Sequence, residues 1–269
     1  MNKLYAILTA SFLTASAYSA QAVELPTGRT YCYPFNKPSD KNYDYNYKLA
    51  TIFDIPTSGS AVDWHAFSNQ LTGVTEVQAA TWANGKFIAI RYNYGTYMYV
   101  IDKNDTEWTY PSKTLSTEYS GGATDLATDP KTGEVYGWFW KSNTQPSLYS
   151  LNFQLCKLDI STGTITPIGQ TSTSYITGLS FDSSGTLWGI TQFGQLEKIS
   201  TTDGTLTDVG SPISDLNWKV TTIAPQSMCY DSASGKMLYA HISAYSTWSK
   251  TTALYSIDLS DQTANSFIH

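Results

Sequence analysis

The chain repeats one short pattern about every fifty residues, and this spacing restricts its fold more than any other feature. In each repeat an apolar run is followed by a polar turn, a glycine and a second apolar run. The four glycines are Gly85, Gly133, Gly185 and Gly235, separated by 48, 52 and 50 residues. Because glycine adopts the positive φ angles that tight hairpins require, each pattern predicts a strand, a turn and a strand.

A second hairpin pattern follows each of the first ones. Asp102, Asp159 and Asp258 stand just after an apolar run, and Ser200 takes that place in the third repeat. A short Asp side chain bonds the backbone of its own turn, so these positions predict structural turns rather than chemistry. Two hairpins per repeat give four antiparallel strands, which we label a, b, c and d in chain order.

Four short strands in every repeat of about 50 residues predict an all-β chain folded as a β-propeller, with four-stranded blades around a central channel. An array of β-sandwich domains would need about 100 residues per unit, and a β-helix repeats at much shorter intervals. We expect about five repeats, at approximately 29–70, 71–115, 116–172, 173–212 and 220–269. The first repeat lacks a run for strand a, and we expect that strand to lie outside this sequence.

The segment from Phe181 to Gly189 resembles the repeats of secreted bacterial propellers of the NHL and sensor-regulator type. It also resembles the sialidase Asp-box through Ser180, Asp182, Gly185 and Trp188, with one residue inserted before the glycine. Both resemblances consist of turn chemistry. They imply the propeller architecture and transfer no catalytic residue.

The first 22 residues have the pattern of a signal peptide. Lys3 supplies a positive start, residues 4–17 are apolar or small, and Ala20-Gln21-Ala22 forms a small-x-small cleavage site. The apolar core is shorter than the ~20 residues of a membrane span. We therefore expect a mature chain that begins at Val23 and is secreted, periplasmic or located at the bacterial cell surface.

The chain is acidic and has three widely spaced cysteines. Its formal net charge is −6, and no basic stripe exists that would bind the phosphates of a nucleic acid. Cys32, Cys156 and Cys229 are too far apart in sequence for a readable zinc site, so we expect no metal. Buried free thiols are the favoured interpretation, with one disulfide to Cys32 as the alternative.

The b–c loops vary in length between repeats, which is typical of binding loops on a regular scaffold. They and the crossovers between blades are rich in aromatic and amide side chains, which suit the C–H faces and hydroxyls of sugars. Packing between blades is the alternative role for each ring, and a protein partner would suit the same surface. The predicted ligand-binding residues are Tyr43, Tyr45, Tyr92, Tyr94, Asn143, Gln145, Tyr175, Gln192, Phe193, Trp218, Tyr245 and Trp248.

The sequence has no recognisable catalytic motif, and we expect no cofactor. Glu76 and Asp125 fall near the start of strand a in adjacent repeats, where both carboxylates would reach the mouth of the channel. Paired carboxylates could hydrolyse glycosidic bonds or bind Ca²⁺, or they could be solvated charges without a specific role. The sequence thus favours a non-enzymatic module that binds glycan or protein, with a carbohydrate-active hydrolase as the alternative.

Overall fold

The computed structural model describes residues 30–32, 50–52, 64–66, 77–92, 96–102, 113–119, 121–141, 152–216, 226–244 and 250–268. Their strands are β1 Thr30–Cys32, β2 Ala50–Ile52, β3 Trp64–Ala66, β4 Val77–Ala83, β5 Lys86–Tyr92, β6 Thr96–Asp102, β7 Lys113–Thr114, β8 Ala123–Thr128, β9 Val135–Trp140, β10 Phe153–Leu158, β11 Ile165–Ser172, β12 Ile176–Phe181, β13 Leu187–Thr191, β14 Leu196–Ile199, β15 Leu206–Val209, β16 Ser227–Asp231, β17 Lys236–Ala244, β18 Lys250–Ile257 and β19 Ala264–Ile268. Two 3-10 turns, Thr117–Tyr119 and Ser214–Leu216, are the helical elements of these ranges.

The strands form four antiparallel four-stranded sheets in propeller arrangement, which confirms the all-β prediction. Blade 1 is β4–β7, blade 2 is β8–β11, blade 3 is β12–β15 and blade 4 is β16–β19, each ordered as the chain runs. The expected five repeats reduce to four blades. The described strands of the first predicted repeat, β1, β2 and β3, form a three-stranded antiparallel sheet, the number of strands expected of a repeat that lacks strand a.

The inner strands β4, β8, β12 and β16 neighbour one another in that order around the channel. Their a–b turns also contact each other from blade to blade. The Lys131 ammonium of blade 2 donates to the Ser184 carbonyl of blade 3. The Ser183 hydroxyl of blade 3 then lies 3.3 Å from the Tyr230 hydroxyl of blade 4. Three successive a–b turns therefore lie on one rim of the disc.

The a–b turns have the backbone conformations that their residues predict. Asn84 and Gly85 both have positive φ, 51° and 74°, the geometry of a two-residue hairpin turn. In the next repeat Asp129 accepts the Lys131 amide at 2.8 Å, and Gly133 has φ 73°. The side chains at these turns bond their own backbone, so local sequence fixes the turn shape.

Apolar side chains fill the spaces between blades. Trp138, Trp140 and Phe153 of blade 2 pack with Tyr175 and Ile176 of blade 3 in one of these buried clusters. The outer parts of the blades meet just as closely, because a Cβ at Gly169 of blade 2 would lie 1.6 Å from the Asp203 carbonyl oxygen of blade 3. Only glycine fits there.

The predicted thiols lie in the interior where they are described. Cys156 and Cys229 are buried, and burial raises the pKa of Cys156 to about 12, so this sulfur is an unreactive thiol near neutral pH. The side chain of Cys32 lies outside the described residues. The described ranges contain no helix long and apolar enough to span a membrane.

Candidate functional site

Strand direction divides each blade between two rims. The a–b and c–d turns lie on one rim, which we call the turn rim. The b–c loops and the crossovers to the next blade lie on the other, which we call the loop rim. The structure describes the b–c loop without a gap only in blade 3, where it is the short turn Thr191–Gln195.

The blade 3 turn is held by a dense set of hydrogen bonds. The Thr191 amide donates to the Gln195 carbonyl at 2.9 Å, and the Gly194 amide donates to the Thr191 carbonyl at 2.9 Å. The Thr191 hydroxyl oxygen accepts from the amides of Phe193 at 3.3 Å and Gln195 at 3.1 Å. A threonine in place of the usual Asp thus organises the whole turn.

Two crossovers brace the same turn from either side. The Gln192 amide donates to the Tyr175 carbonyl at 3.1 Å, and the Ile213 amide donates to the Gly194 carbonyl at 2.9 Å. Gly194 has φ 78°, and a Cβ there would lie 2.6 Å from the Ile213 carbonyl oxygen. The turn therefore has little freedom to move without its neighbours.

Phe193 is the tip of this turn. Half of its surface, 50%, is exposed, and among the described residues it is the one large hydrophobic side chain that is exposed. Burying such a ring would be favourable by about 1.5–3 kcal/mol, so its exposure is a cost that the fold does not relieve. A rigid turn that holds an aromatic ring in solvent is a candidate binding element.

Tyr175 is a predicted ligand-binding residue whose ring lies in the interior. It is 4% exposed and stacks on Phe153, with ring centroids 5.4 Å apart and an interplanar angle of 25°. Burial raises the pKa of its phenol above the usual value. The Tyr175 ring therefore packs between blades. At the loop rim, the backbone carbonyl of Tyr175 accepts the Gln192 amide.

Asp125 lies buried among the inner strands, whereas the sequence predicted a carboxylate at the mouth of the channel. It is 0% exposed. Its Oδ2 accepts from the amides of Leu179 at 2.8 Å and Met228 at 3.2 Å, while its Oδ1 accepts from the Leu126 amide at 2.9 Å and the Ser227 hydroxyl at 3.2 Å. Burial raises the pKa of this carboxyl well above its usual value, and these bonds counteract part of the rise. Asp125 therefore ties the inner strands of blades 2, 3 and 4 together.

A small cavity lies between the inner strands close to Asp125. Its volume is about 10 Å³, and it is lined by residues such as Thr81, Thr128, Ser180 and Phe181. That volume holds about one water molecule, whereas ligand pockets usually measure ~300–1,000 Å³. This cavity has no room for a sugar ring.

Most of the other predicted site residues lie outside the described part of the chain. These are Tyr43, Tyr45, Glu76, Tyr94, Asn143, Gln145, Trp218, Tyr245 and Trp248. Tyr92 ends strand β5, and its side chain is not described. The structure thus brings three predicted residues together, Tyr175, Gln192 and Phe193, around the blade 3 turn.

Sequence reasoning missed two buried polar features within the blades. In the first, the Tyr239 hydroxyl donates to Gln226 Oε1 at 2.6 Å, and the same oxygen lies 2.8 Å from His241 Nδ1. Burial lowers the pKa of His241 to about 4, so the ring is neutral at pH 7. The spacing of these residues along two strands gives no signal that they meet.

The second missed feature is Glu197, which is 5% exposed although it lies in the short strand β14, next to the outermost strand of blade 3. Its Oε2 has no hydrogen-bond partner among the described residues, and Asp208 lies directly across the sheet. Burial, and then the charge of Asp208, raise the pKa of Glu197 to about 7. Strand β14 reads Leu-Glu-Lys-Ile, and a glutamate between the apolar ends of so short a strand was the signal available.

No family model and no curated protein matches the chain. Among solved structures, it is similar to a protein of unknown function from Bacteroides thetaiotaomicron VPI-5482, at 11% identity and a TM-score of 0.50 over 88% of this chain and 67% of that one. It is also similar to a GH43_1 enzyme from Xanthomonas citri, at 12% identity and a TM-score of 0.51 over 88% of this chain and 87% of that one. Both neighbours are propellers, and identities this low establish the β-propeller fold alone.

Proposed function

We propose that this protein is an exported, non-enzymatic binding module that recognises glycan or protein at the bacterial cell surface through its loop rim. The observation that carries the proposal is the exposed Phe193 ring on a turn fixed by hydrogen bonds from both crossovers. A ligand that covers this ring gains its burial free energy without ordering a loop, because the turn is already in one conformation.

The alternative function is a carbohydrate-active hydrolase that uses Glu76 and Asp125. A catalytic carboxyl must reach the glycosidic oxygen or the anomeric carbon of its substrate. Both oxygens of Asp125 accept hydrogen bonds from the protein itself, and the residue is fully buried. This geometry favours a structural role for Asp125 and supports the binding module over the hydrolase.

An assay for binding and hydrolysis together separates the two functions. The purified protein is applied to immobilised bacterial envelope polysaccharides and proteins, and release of reducing ends is measured on the same polysaccharides. We expect binding without release. Release of reducing ends that disappears in Glu76→Gln would overturn the proposal in favour of the hydrolase.

Export is tested separately. Expression of the full chain in a bacterial host, followed by fractionation and N-terminal sequencing, should find a secreted, periplasmic or surface protein beginning at Val23. An intact Met1 terminus in the cytoplasm would contradict the export part of the proposal.

A further inference from the structure

The first and last of the four blades each have an outward face that is buried. In β5, Ile88 and Ile90 belong to the cluster shared with blade 2, so Phe87 and Ala89, which alternate with them, face the other way. They are 3% and 0% exposed. Leu238 of β17 faces away from blade 3 in the same way and is 5% exposed. Among the described strands, however, β4 and β16 do not pack on each other as successive inner strands do. The ring therefore has a place between blades 4 and 1 that another part of the chain fills.

The sheet of β1, β2 and β3 has the strand order of a blade whose inner strand is still to be assigned. Its strands pair antiparallel in chain order, as strands b, c and d do in the four blades. In those blades strand a directly precedes strand b in the chain and pairs with it as a hairpin. The segment that directly precedes β1 in the mature chain is 23–29. It lies outside the described residues, and its sequence can be compared with the four described hairpins.

The sequence before β1 has the spacing of the a–b turn of blade 3. In that turn the Asp182 amide donates to the Thr186 carbonyl at 3.0 Å, and the Gly185 amide donates to the Asp182 carbonyl at 3.1 Å. The glycine has φ 81°, so this is a three-residue hairpin loop that ends in a left-handed glycine. Strand β13 begins two residues after this glycine. Gly28 likewise stands two residues before Thr30, where β1 begins.

The residues in front of Gly28 also suit such a turn. Proline is favoured at the second position of a type I turn because its φ is already fixed there, and glycine is favoured at the fourth. Leu25-Pro26-Thr27-Gly28 has both residues at these positions. Pro130 likewise follows the first residue of the a–b turn in blade 2. The sequence therefore predicts a hairpin that leads into β1.

The register of blade 3 then assigns the partners of β1. In blade 3 the residue four before the turn glycine pairs with the residue two after it, and the residue five before pairs with the residue three after. Counted from Gly28, these pairs are Glu24 with Thr30 and Val23 with Tyr31. A strand that begins at Val23 has three residues, whereas the four described inner strands have 5 to 7. Its shortness explains why no run for strand a stands out in the sequence.

We infer that the first residues of the mature chain, 23–25, form strand a of the first repeat, pair with the inner edge of β1 and complete a fifth blade between blades 4 and 1. Cleavage after Ala22 then sets the first residue of an inner strand, so export processing and the closure of the ring meet at one peptide bond. Without this strand, β1 would present unpaired N–H and C=O groups, which are a template for association with another chain. Of the proposed function, only the start at Val23 enters here, and no ligand is assumed.

A cysteine pair tests the register directly. In a Cys32→Ser background, Glu24→Cys with Thr30→Cys places two thiols on facing residues of neighbouring strands, whereas Glu24→Cys with Tyr31→Cys places them on opposite faces of the sheet. The mature protein is reduced, then oxidised with oxidised glutathione, and intramolecular bridging is followed by peptide mass spectrometry. We expect the first pair to bridge at least about tenfold faster than the second. Equal rates, a faster second pair or no bridging in either would overturn the register.

Replacement of the three strand residues tests their contribution to the fold. Val23→Gly, Glu24→Gly and Leu25→Gly together keep the chain length but remove strand propensity, and should lower the melting temperature by about 4–8 °C and cause association on a sizing column. Val23→Ile, Glu24→Thr and Leu25→Val together are the matched control, which keeps strand propensity and should remain monomeric. An unchanged melting temperature in the glycine variant would overturn the inference.

The turn glycine gives an independent test. Gly28→Asn should be tolerated and Gly28→Val should lower the melting temperature further, because asparagine adopts positive φ far more readily than a β-branched residue. Equal effects of the two would contradict the turn. None of these measurements uses a ligand, so they can fail while the proposed binding function holds, and the reverse. A mature N-terminus found beyond Leu25 by N-terminal sequencing would also overturn the inference.

Discussion

Two turns at opposite ends of blade 3 are built by the same device. In the a–b turn, Asp182 accepts the amides of Ser184 at 2.8 Å and Thr186 at 3.0 Å, and Gly185 has φ 81°. In the b–c turn, Thr191 accepts the amides two and four residues later, and the glycine three residues on has φ 78°. The first and fourth residues set the shape in both turns.

The two turns differ in the residue they carry at the tip. Ser184 in the a–b turn donates its hydroxyl to Asp182 at 2.6 Å, so its polar group is satisfied within the turn. Phe193 at the equivalent position has no polar group to satisfy and is half exposed. One scaffold can therefore make a turn whose tip side chain bonds within the turn or a turn whose tip ring stands half exposed.

The carboxyl groups near the two ends of blade 3 also differ in the direction of their pKa shifts. Burial raises the pKa of Asp182, but hydrogen bonds from Ser184, Trp188 and Thr186 outweigh it and hold the pKa below its usual value. Glu197, two residues beyond the b–c turn, lacks such donors and has a raised pKa. The carboxyl at the turn rim thus accepts several hydrogen bonds, whereas the carboxyl near the loop rim has an oxygen without a partner among the described residues.

The largest effect should come from the scaffold that holds both turns. Asp125→Ala leaves the buried amides of Leu179 and Met228 without an acceptor and should lower the free energy of unfolding by about 3–5 kcal/mol. Urea denaturation measures this loss. Asp125→Asn keeps the shape and one acceptor oxygen, so it should lose less than Asp125→Ala. A loss smaller than that of either turn variant below would contradict the central role of Asp125.

The next largest loss of stability should come from substitutions of the two turn glycines, which can be compared directly. Gly194→Ala combines a positive φ with a Cβ 2.6 Å from the Ile213 carbonyl oxygen, and should cost about 2–4 kcal/mol. Gly185→Ala has the same φ strain, but its nearest neighbour is the flexible end of Lys131 at 3.1 Å, so it should cost about 1 kcal/mol. Equal losses in thermal denaturation would show that the b–c turn is not the more constrained of the two.

Glu197 should make stability depend on pH. Its folded-state pKa of about 7 lies above the ~4.3 of an unfolded glutamate, so the folded state holds the proton more tightly. Stability should therefore fall by about 1–3 kcal/mol as pH rises from 4 to 7 and level off above that range.

Glu197→Gln should remove this slope and be the more stable protein at pH 8. Asp208→Asn removes the neighbouring charge and should reduce the slope without abolishing it. Denaturation midpoints between pH 4 and 9 test both variants, and an unchanged slope in Glu197→Gln would place the titrating group elsewhere.

The smallest effect on stability should be at the tip itself. Phe193→Ser exchanges an exposed ring for the kind of residue that the a–b turn carries, and should change the free energy of unfolding by less than about 0.5 kcal/mol. A loss above 1 kcal/mol in the same urea experiment would mean that the ring contributes to packing, and the difference between the two tips would disappear.

Much of the fold could be predicted from local sequence. The fifty-residue spacing, the turn glycines and the turn carboxylates each act within a few residues of their own position, and the structure contains the two hairpins per blade that they indicate. The sequence indicated that the first repeat lacks strand a but counted it as a blade, because a run of strand-like residues does not specify whether a sheet gains its fourth strand.

The site was harder to predict because its contacts are distant in sequence. Asp125 reaches amides 54 and 103 residues away, so its burial depends on how three blades meet. The pattern placed Asp125 near the mouth of the channel, and the fold buries it completely.

The sequence by itself determined the turns, the strands and the propeller class, since these follow from backbone preferences and from short apolar runs at a regular spacing. Tertiary structure alone decided which aromatic residues face solvent. Tyr175 and Phe193 belong to the same predicted rim, yet one stacks on Phe153 in the interior and the other stands at the tip of a braced turn. The reason is physical: burial depends on what the neighbouring blade places opposite each ring, and no local pattern encodes that neighbour.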